Sequence, residues 1–109
     1  MNEQEFNQQA AAVFSHIEEA LDGSDADIEC NLNEGVMELE FVDGSKIIIN
    51  RHAPNKEIWV AARSGGFHYA RKENNWINTR DGSELFASLE TLINQQSGEE
   101  IDLDANPNL

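Results

Sequence analysis

One cysteine, Cys30, stands in 109 residues, so no disulfide can close within the chain. That fits a reducing compartment, and the expected location is the cytoplasm. Basic residues are also scarce. Seven Lys and Arg face twenty-one Asp and Glu, for a net charge of −14. So acidic a chain repels phosphates, which excludes nucleic acid and anionic membrane as partners. It favours cations or a basic protein surface. There is no long apolar run and no apolar N-terminal segment, which argues against a spanning helix and a signal peptide. The acidic start, MNEQEFNQQ, does not read as a transit peptide, and Met1 is expected to be the mature N-terminus. Catalytic patterns are missing too: no Ser/His/Asp order with supporting turns, no Gly-rich phosphate loop, no paired-Cys zinc spacing. The expectation is a protein that is not an enzyme.

The charge that is present is unevenly placed. All seven basic residues lie between positions 46 and 80, while residues 1–45 hold twelve acids and residues 81–109 hold seven. Acidic flanks therefore surround a mildly basic centre. The length suggests a single domain over 1–109, with enough apolar residues (39%) for one core.

The periodicity changes along the chain. Phe6, Ala10, Val13, Phe14, Ile17 and Leu21 make one apolar stripe at helical spacing. From 26 to 78 the period is two. Ile28, Cys30 and Leu32 alternate with acids and Asn. Met37, Leu39 and Phe41 follow after Asn33-Glu34-Gly35, and Asp43-Gly44 marks a hairpin turn before SKIIINR. EIWVAAR, FHYARK and WIN complete five or six short strands. Turns are expected at Ser64-Gly65-Gly66 and at Asn74-Asn75. A second helix is expected over about 82–96, with Asp81 and Glu84 as a capping box and Leu85, Phe86, Leu89, Leu92 and Ile93 as its stripe. Residues 99–109 read as a poorly ordered tail. The expected fold class is α+β: an α–β sandwich with two terminal helices on one face of a five- to six-stranded antiparallel sheet.

Two features could carry chemistry. The run EEALDGSDADIE holds Glu18, Glu19, Asp22, Asp25, Asp27 and Glu29 with no intervening Lys or Arg. It fails as an EF-hand, because a loop opening at Asp25 would need Gly where Cys30 stands and Glu where Val36 stands. It overlaps a helical stripe at one end and a strand alternation at the other, with Asp27 and Glu29 at outward strand positions. A folded acidic ridge remains. Its carboxylates are hard donors suited to iron(II), iron(III), manganese or calcium, in weak and exposed sites. Composition alone does not choose between such a ridge and a plain solvated face.

The second feature is Trp59. Ile58, Val60 and Ala62 belong to the core side, so Trp59 points to the helix-free face, either as a protein-contact anchor or as a cross-strand packing residue. Trp76 reads as structural. His16, His52 and His68 are scattered in sequence and make no metal site. Cys30 reads as a small buried hydrophobe.

The stretch SKIIINRHAPNKEIWVAARSGGFHYA resembles the central signature of the frataxin family, in its bacterial form. The matching elements are Ile49-Asn50-Arg51, Pro54, Ile58-Trp59-Val60-Ala61, Gly65-Gly66, and the aromatics Phe67 and Tyr69. The acidic first helix, the acidic loop, DIEC, DGSKIIIN and a closing Trp-Ile extend the likeness over nearly the whole chain. Asn7 and Ala70 depart from it, standing where relatives carry His and Asp. The resemblance implies a two-helix α–β sandwich. It implies weak, exchangeable binding of iron (Fe2+ or Fe3+), with other divalent cations as competitors, at Glu18, Glu19, Asp22, Asp25, Asp27 and Glu29. It also implies docking on cysteine desulfurase and the iron–sulfur scaffold complex through Glu18, Glu19, Asp22, Asn50 and Trp59. The expected role is that of a monomeric, iron-dependent regulator of cluster assembly. Two rivals stand beside it: an iron store or ferroxidase, and an acidic interaction domain with no metal role.

Overall fold

The computed structural model describes residues 1–103. Helix α1 (Glu3–Asp22) leads into β1 (Glu29–Asn33), β2 (Val36–Glu40) and β3 (Lys46–His52). A single turn of 3-10 helix, Ala53–Asn55, precedes β4 (Glu57–Ala62), β5 (Gly65–Lys72) and β6 (Asn75–Asn78). Helix α2 (Leu85–Ser97) follows. The six strands form one antiparallel sheet in sequence order, a meander with β1 and β6 at its edges.

Local chemistry accounts for the ends of the elements. Asn2 caps α1 by accepting from the Glu5 N–H at 2.8 Å. After Asp22, Gly23 and Ser24 close the helix, and the Ser24 hydroxyl donates to the Leu21 carbonyl. Glu34 and Gly35 both have positive φ, which gives the β1–β2 hairpin the tight turn whose twist matches its strands. A side chain at Gly35 would also meet the Arg51 guanidinium at 3.0 Å. At the β2–β3 connection, Asp43 accepts from both the N–H and the hydroxyl of Ser45.

The buried set follows the expected periodicities. The α1 stripe from Phe6 to Leu21 and the α2 stripe from Leu85 to Ile93 pack on one sheet face. That face contributes Met37, Leu39, Ile47, Ile49, Ile58, Val60 and Tyr69, and Trp76 closes one end against Phe6 with the rings edge-on. The architecture is the expected α–β sandwich with six strands.

Four details differ from the sequence reading. Helix α2 starts at Leu85, because Glu84 itself is the cap and accepts from the Phe86 and Ala87 N–H groups. Asp81 instead binds Ser83, holding the preceding turn. Gly65 and Gly66 pair with Ala62 and Ala61, so the turn there is Arg63-Ser64. Likewise Asn75 opens β6, and the turn lies at Glu73-Asn74, Glu73 having positive φ. Ile101 and Leu103 join the core, and the Leu103 N–H donates to Glu90 Oε2 at 2.6 Å. The chain is thus packed through 103, where sequence suggested a loose tail; the rest of that tail, 104–109, lies outside the described residues. Finally, β1 begins at Glu29 rather than at 27, so Asp27 sits in the approach to the strand.

Candidate functional site: an acidic ridge and an open sheet face

The ridge is assembled from three kinds of local structure. Glu18, Glu19 and Asp22 occupy the last turn of α1, Asp25 and Asp27 the connection, and Glu29 the first position of β1. Five of the six are exposed, and Glu18 is half-buried. Acids in the last turn of a helix face the negative end of its dipole, and α1 has no basic residue there to offset them. Glu18, Glu19 and Asp22 thus stand where a helix is least suited to acids, and a cation placed there relieves the cost.

Cys30 shows how closely the parts meet. Burial pushes its thiol up to about 11, and the charges of Glu18 and Asp22 add to the effect. Helix α1 is in contact with β1. Cys30 is half-buried rather than fully enclosed, and Leu32, expected inward, is 43% exposed, because neither helix covers the far end of this edge strand. The cross-strand pair Glu29–Glu40 carries the acidic surface from β1 onto β2, where Lys46 of β3 stands opposite Glu40.

Two basic residues are engaged by acids outside the ridge. Lys46 pairs with Glu38 at 2.6 Å and Arg63 with Asp43 at 2.9 Å. Among the described residues, none of the six ridge carboxylates is ion-paired. Nor do any three His, Cys, Asp or Glu side chains among them converge as a preformed metal cage. Exposed oxygen donors of this kind suit a hard cation held loosely, with water completing its shell.

The open face has a different character. Val36, Asn50, Trp59 and His68 form one cross-strand row, with Trp59 near the middle of the sheet. The Trp59 indole lies between two imidazoles. His52 stacks on one side at 3.6 Å and 11°, His68 on the other at 4.4 Å and 10°. The indole N–H donates to Glu57 Oε1 at 2.8 Å. Trp59 thus anchors cross-strand packing and also faces away from the core. His52, His68 and Glu57 were missed as a group in sequence. The signal was there in principle: once the β3–β4 and β4–β5 pairings are fixed, His68 falls opposite Trp59 and His52 opposite Glu57. From strand spacing and rise, Trp59 lies roughly 20 Å from Glu29.

His16 packs edge-on against Phe86, with ring centroids 4.8 Å apart. Asn7 lies outside the ridge on the first turns of α1, and Ala70 adds no carboxylate to the open face.

Comparison with known proteins agrees with this fold. The sequence model of the frataxin-like domain matches residues 1–99. The iron–sulfur cluster assembly protein CyaY of Janthinobacterium sp. (strain Marseille) is 52% identical over 103 residues, covering 90% of this chain and 92% of the relative. CyaY of Neisseria meningitidis is 40% identical over 94% of this chain and 96% of the relative. Among solved structures, frataxin from Psychromonas ingrahamii superposes with a TM-score of 0.92 at 36% identity, over 96% of this chain and 100% of the other. A trimeric yeast frataxin from Saccharomyces cerevisiae, complexed with ferrous iron, gives a TM-score of 0.71 at 26% identity, over 83% of this chain and 86% of the other. With the frataxin-like domain matched across nine-tenths of its length and CyaY relatives about half identical over most of it, the chain belongs to the frataxin family, in its bacterial CyaY type.

Proposed function

We propose that this protein is a non-catalytic regulator of iron–sulfur cluster assembly that binds iron(II) and iron(III) weakly on its acidic ridge and docks on cysteine desulfurase and its scaffold complex. The observation that carries the reading is the ridge itself. Six carboxylates gather at a helix C-terminus, a loop and a sheet edge, and among the described residues none has a cationic partner. Relatives about half identical in sequence are named iron–sulfur cluster assembly proteins, and a more distant one is known in complex with ferrous iron.

The physical mechanism is competition for the same charge. Glu18, Glu19 and Asp22 meet a basic patch of the partner, and Asn50 and Trp59 add a contact on the sheet. Iron taken up by the ridge cancels part of its charge, which links iron level to the strength of docking. Exposed ion pairs at high dielectric are individually weak, so the hold depends on their number and falls with salt. The absence of a preformed cage among the described residues supports exchangeable rather than stored iron.

The test is a calorimetric titration of desulfurase with the wild-type chain and with E18K/E19K/D22K. The expected result is at least a tenfold loss of affinity in the variant, and in wild type a steady loss from low to high salt. Equal affinities would defeat the docking reading. An iron(II) titration followed by NMR should move the amides of residues 18–29. If they stay put, the protein is an acidic interaction domain without a metal role. Iron(II) oxidation markedly faster than that of free iron would favour a ferroxidase.

A further inference from the structure

The open face gathers two titratable rings around one tryptophan. His52, Trp59 and His68 come from β3, β4 and β5, and their rings are nearly parallel at 3.6 and 4.4 Å. Glu57 Oε1 accepts the indole N–H at 2.8 Å and lies 3.8 Å from His68 Nδ1. Imidazole is the side chain whose charge changes in the physiological pH range. A cation over an indole face is attracted by the ring quadrupole, and a nearby carboxylate adds to that attraction.

The charged surround is mixed. Glu57, on β4, borders both rings. Arg80 and Asp81, from the β6–α2 connection, share a depression with His68. Lys56 directly precedes Glu57 in the chain. β5 offers uncharged Ala70 beside Glu57, with Lys72 one outward position beyond, and Arg51 alternates to the other side of β3. Against that surround, two positive charges gained on the rings are a large change.

We propose that the His52–Trp59–His68 stack is a pH-responsive site on the open sheet face. Protonation converts a neutral aromatic platform into a cationic one drawn onto Trp59 and Glu57. A consequence rests on the docking reading above: a basic partner surface meets less repulsion here at pH 8 than at pH 6. The stack itself is decided in the free protein.

The experiment follows the Trp59 indole N–H resonance and tryptophan emission from pH 8 to pH 6. It compares wild type with H52F/H68F, which keeps three stacked rings but removes their titration, and with H52Q/H68Q. Trp76 and His16 are present in all three and cancel in the difference. In wild type, acidification should shift the Trp59 resonance and lower the emission, and both responses should vanish in both variants. A flat wild-type profile, or variants that respond as wild type does, would overturn the proposal. An intact response together with no desulfurase binding at either pH would strike the docking reading and leave the stack standing.

Discussion

The two tryptophans show what burial does to one residue type. Trp76 is 1% exposed, packed on Phe6 and approached by the Arg71 guanidinium at 5.7 Å. Trp59 sits on the other face, held by two imidazoles and Glu57. Truncation should therefore separate them. Trp76→Ala should cost about 3–5 kcal/mol, the range for a large buried aromatic. Trp59→Ala should cost about 1 kcal/mol, because it loses one hydrogen bond and two stacking contacts but leaves no core cavity. Urea melts of both variants check this, and equal losses would place Trp59 in the core. Asp43 supplies a pH prediction. The hydroxyl and N–H of Ser45, then Arg63, hold its carboxyl down to about 2, from an ordinary value of 3.8. A carboxylate whose folded value is depressed contributes stability above the unfolded value. That stability is lost as pH falls through the folded one. Asp43→Asn should then flatten the acid dependence of stability between about pH 4 and pH 2, read from melting at stepped pH. A variant curve parallel to wild type would remove Asp43 from the account.

Elements were legible wherever side chains repeat. The α1 stripe and the alternation through β2, β3 and β4 map directly onto buried positions, because a helix or strand turns its period into a face. Ends were less legible. Glu84 displaced Asp81 as the α2 cap, although Asp is the commoner capping residue, because Asp81 is engaged by Ser83 in the preceding turn and the backbone enters the helix only at Leu85. In sequence the segment after α2 reads as loose, because Ile101 and Leu103 sit among acids and show no period. Their burial depends on a groove that α2 supplies from elsewhere in the fold, and on Glu90 receiving the Leu103 N–H. Leu103→Ala should cost about 2–5 kcal/mol. A chemical denaturation midpoint unchanged from wild type would mean that this segment does not hold the core.

Charge acts on the molecule as a whole. A net −14 spread over 109 residues opposes compaction, and the acids at the end of α1 add repulsion between neighbours. Raising ionic strength should screen that repulsion and raise the melting temperature by a few degrees, equivalent to about 1 kcal/mol. At matched ionic strength a divalent cation should add a further increment, because it bridges carboxylates that sodium only screens. An E18Q/E19Q/D22Q variant should lose that increment. A melting temperature indifferent to both salts would show that the charges are too far apart to interact.

By itself the sequence determined the class of fold, the helical and inner-strand part of the core and the candidate ridge, since these follow from composition and from patterns with short local periods. It also carried the family likeness, in a contiguous signature around Trp59. Tertiary structure alone decided what meets what. Strand register set His52 and His68 on either side of Trp59, contact between α1 and β1 put Cys30 within reach of the charges of Glu18 and Asp22, and packing drew Leu103 into the core. The physical reason is the same in each case: a period places a side chain on a face, but its neighbours there come from distant parts of the chain.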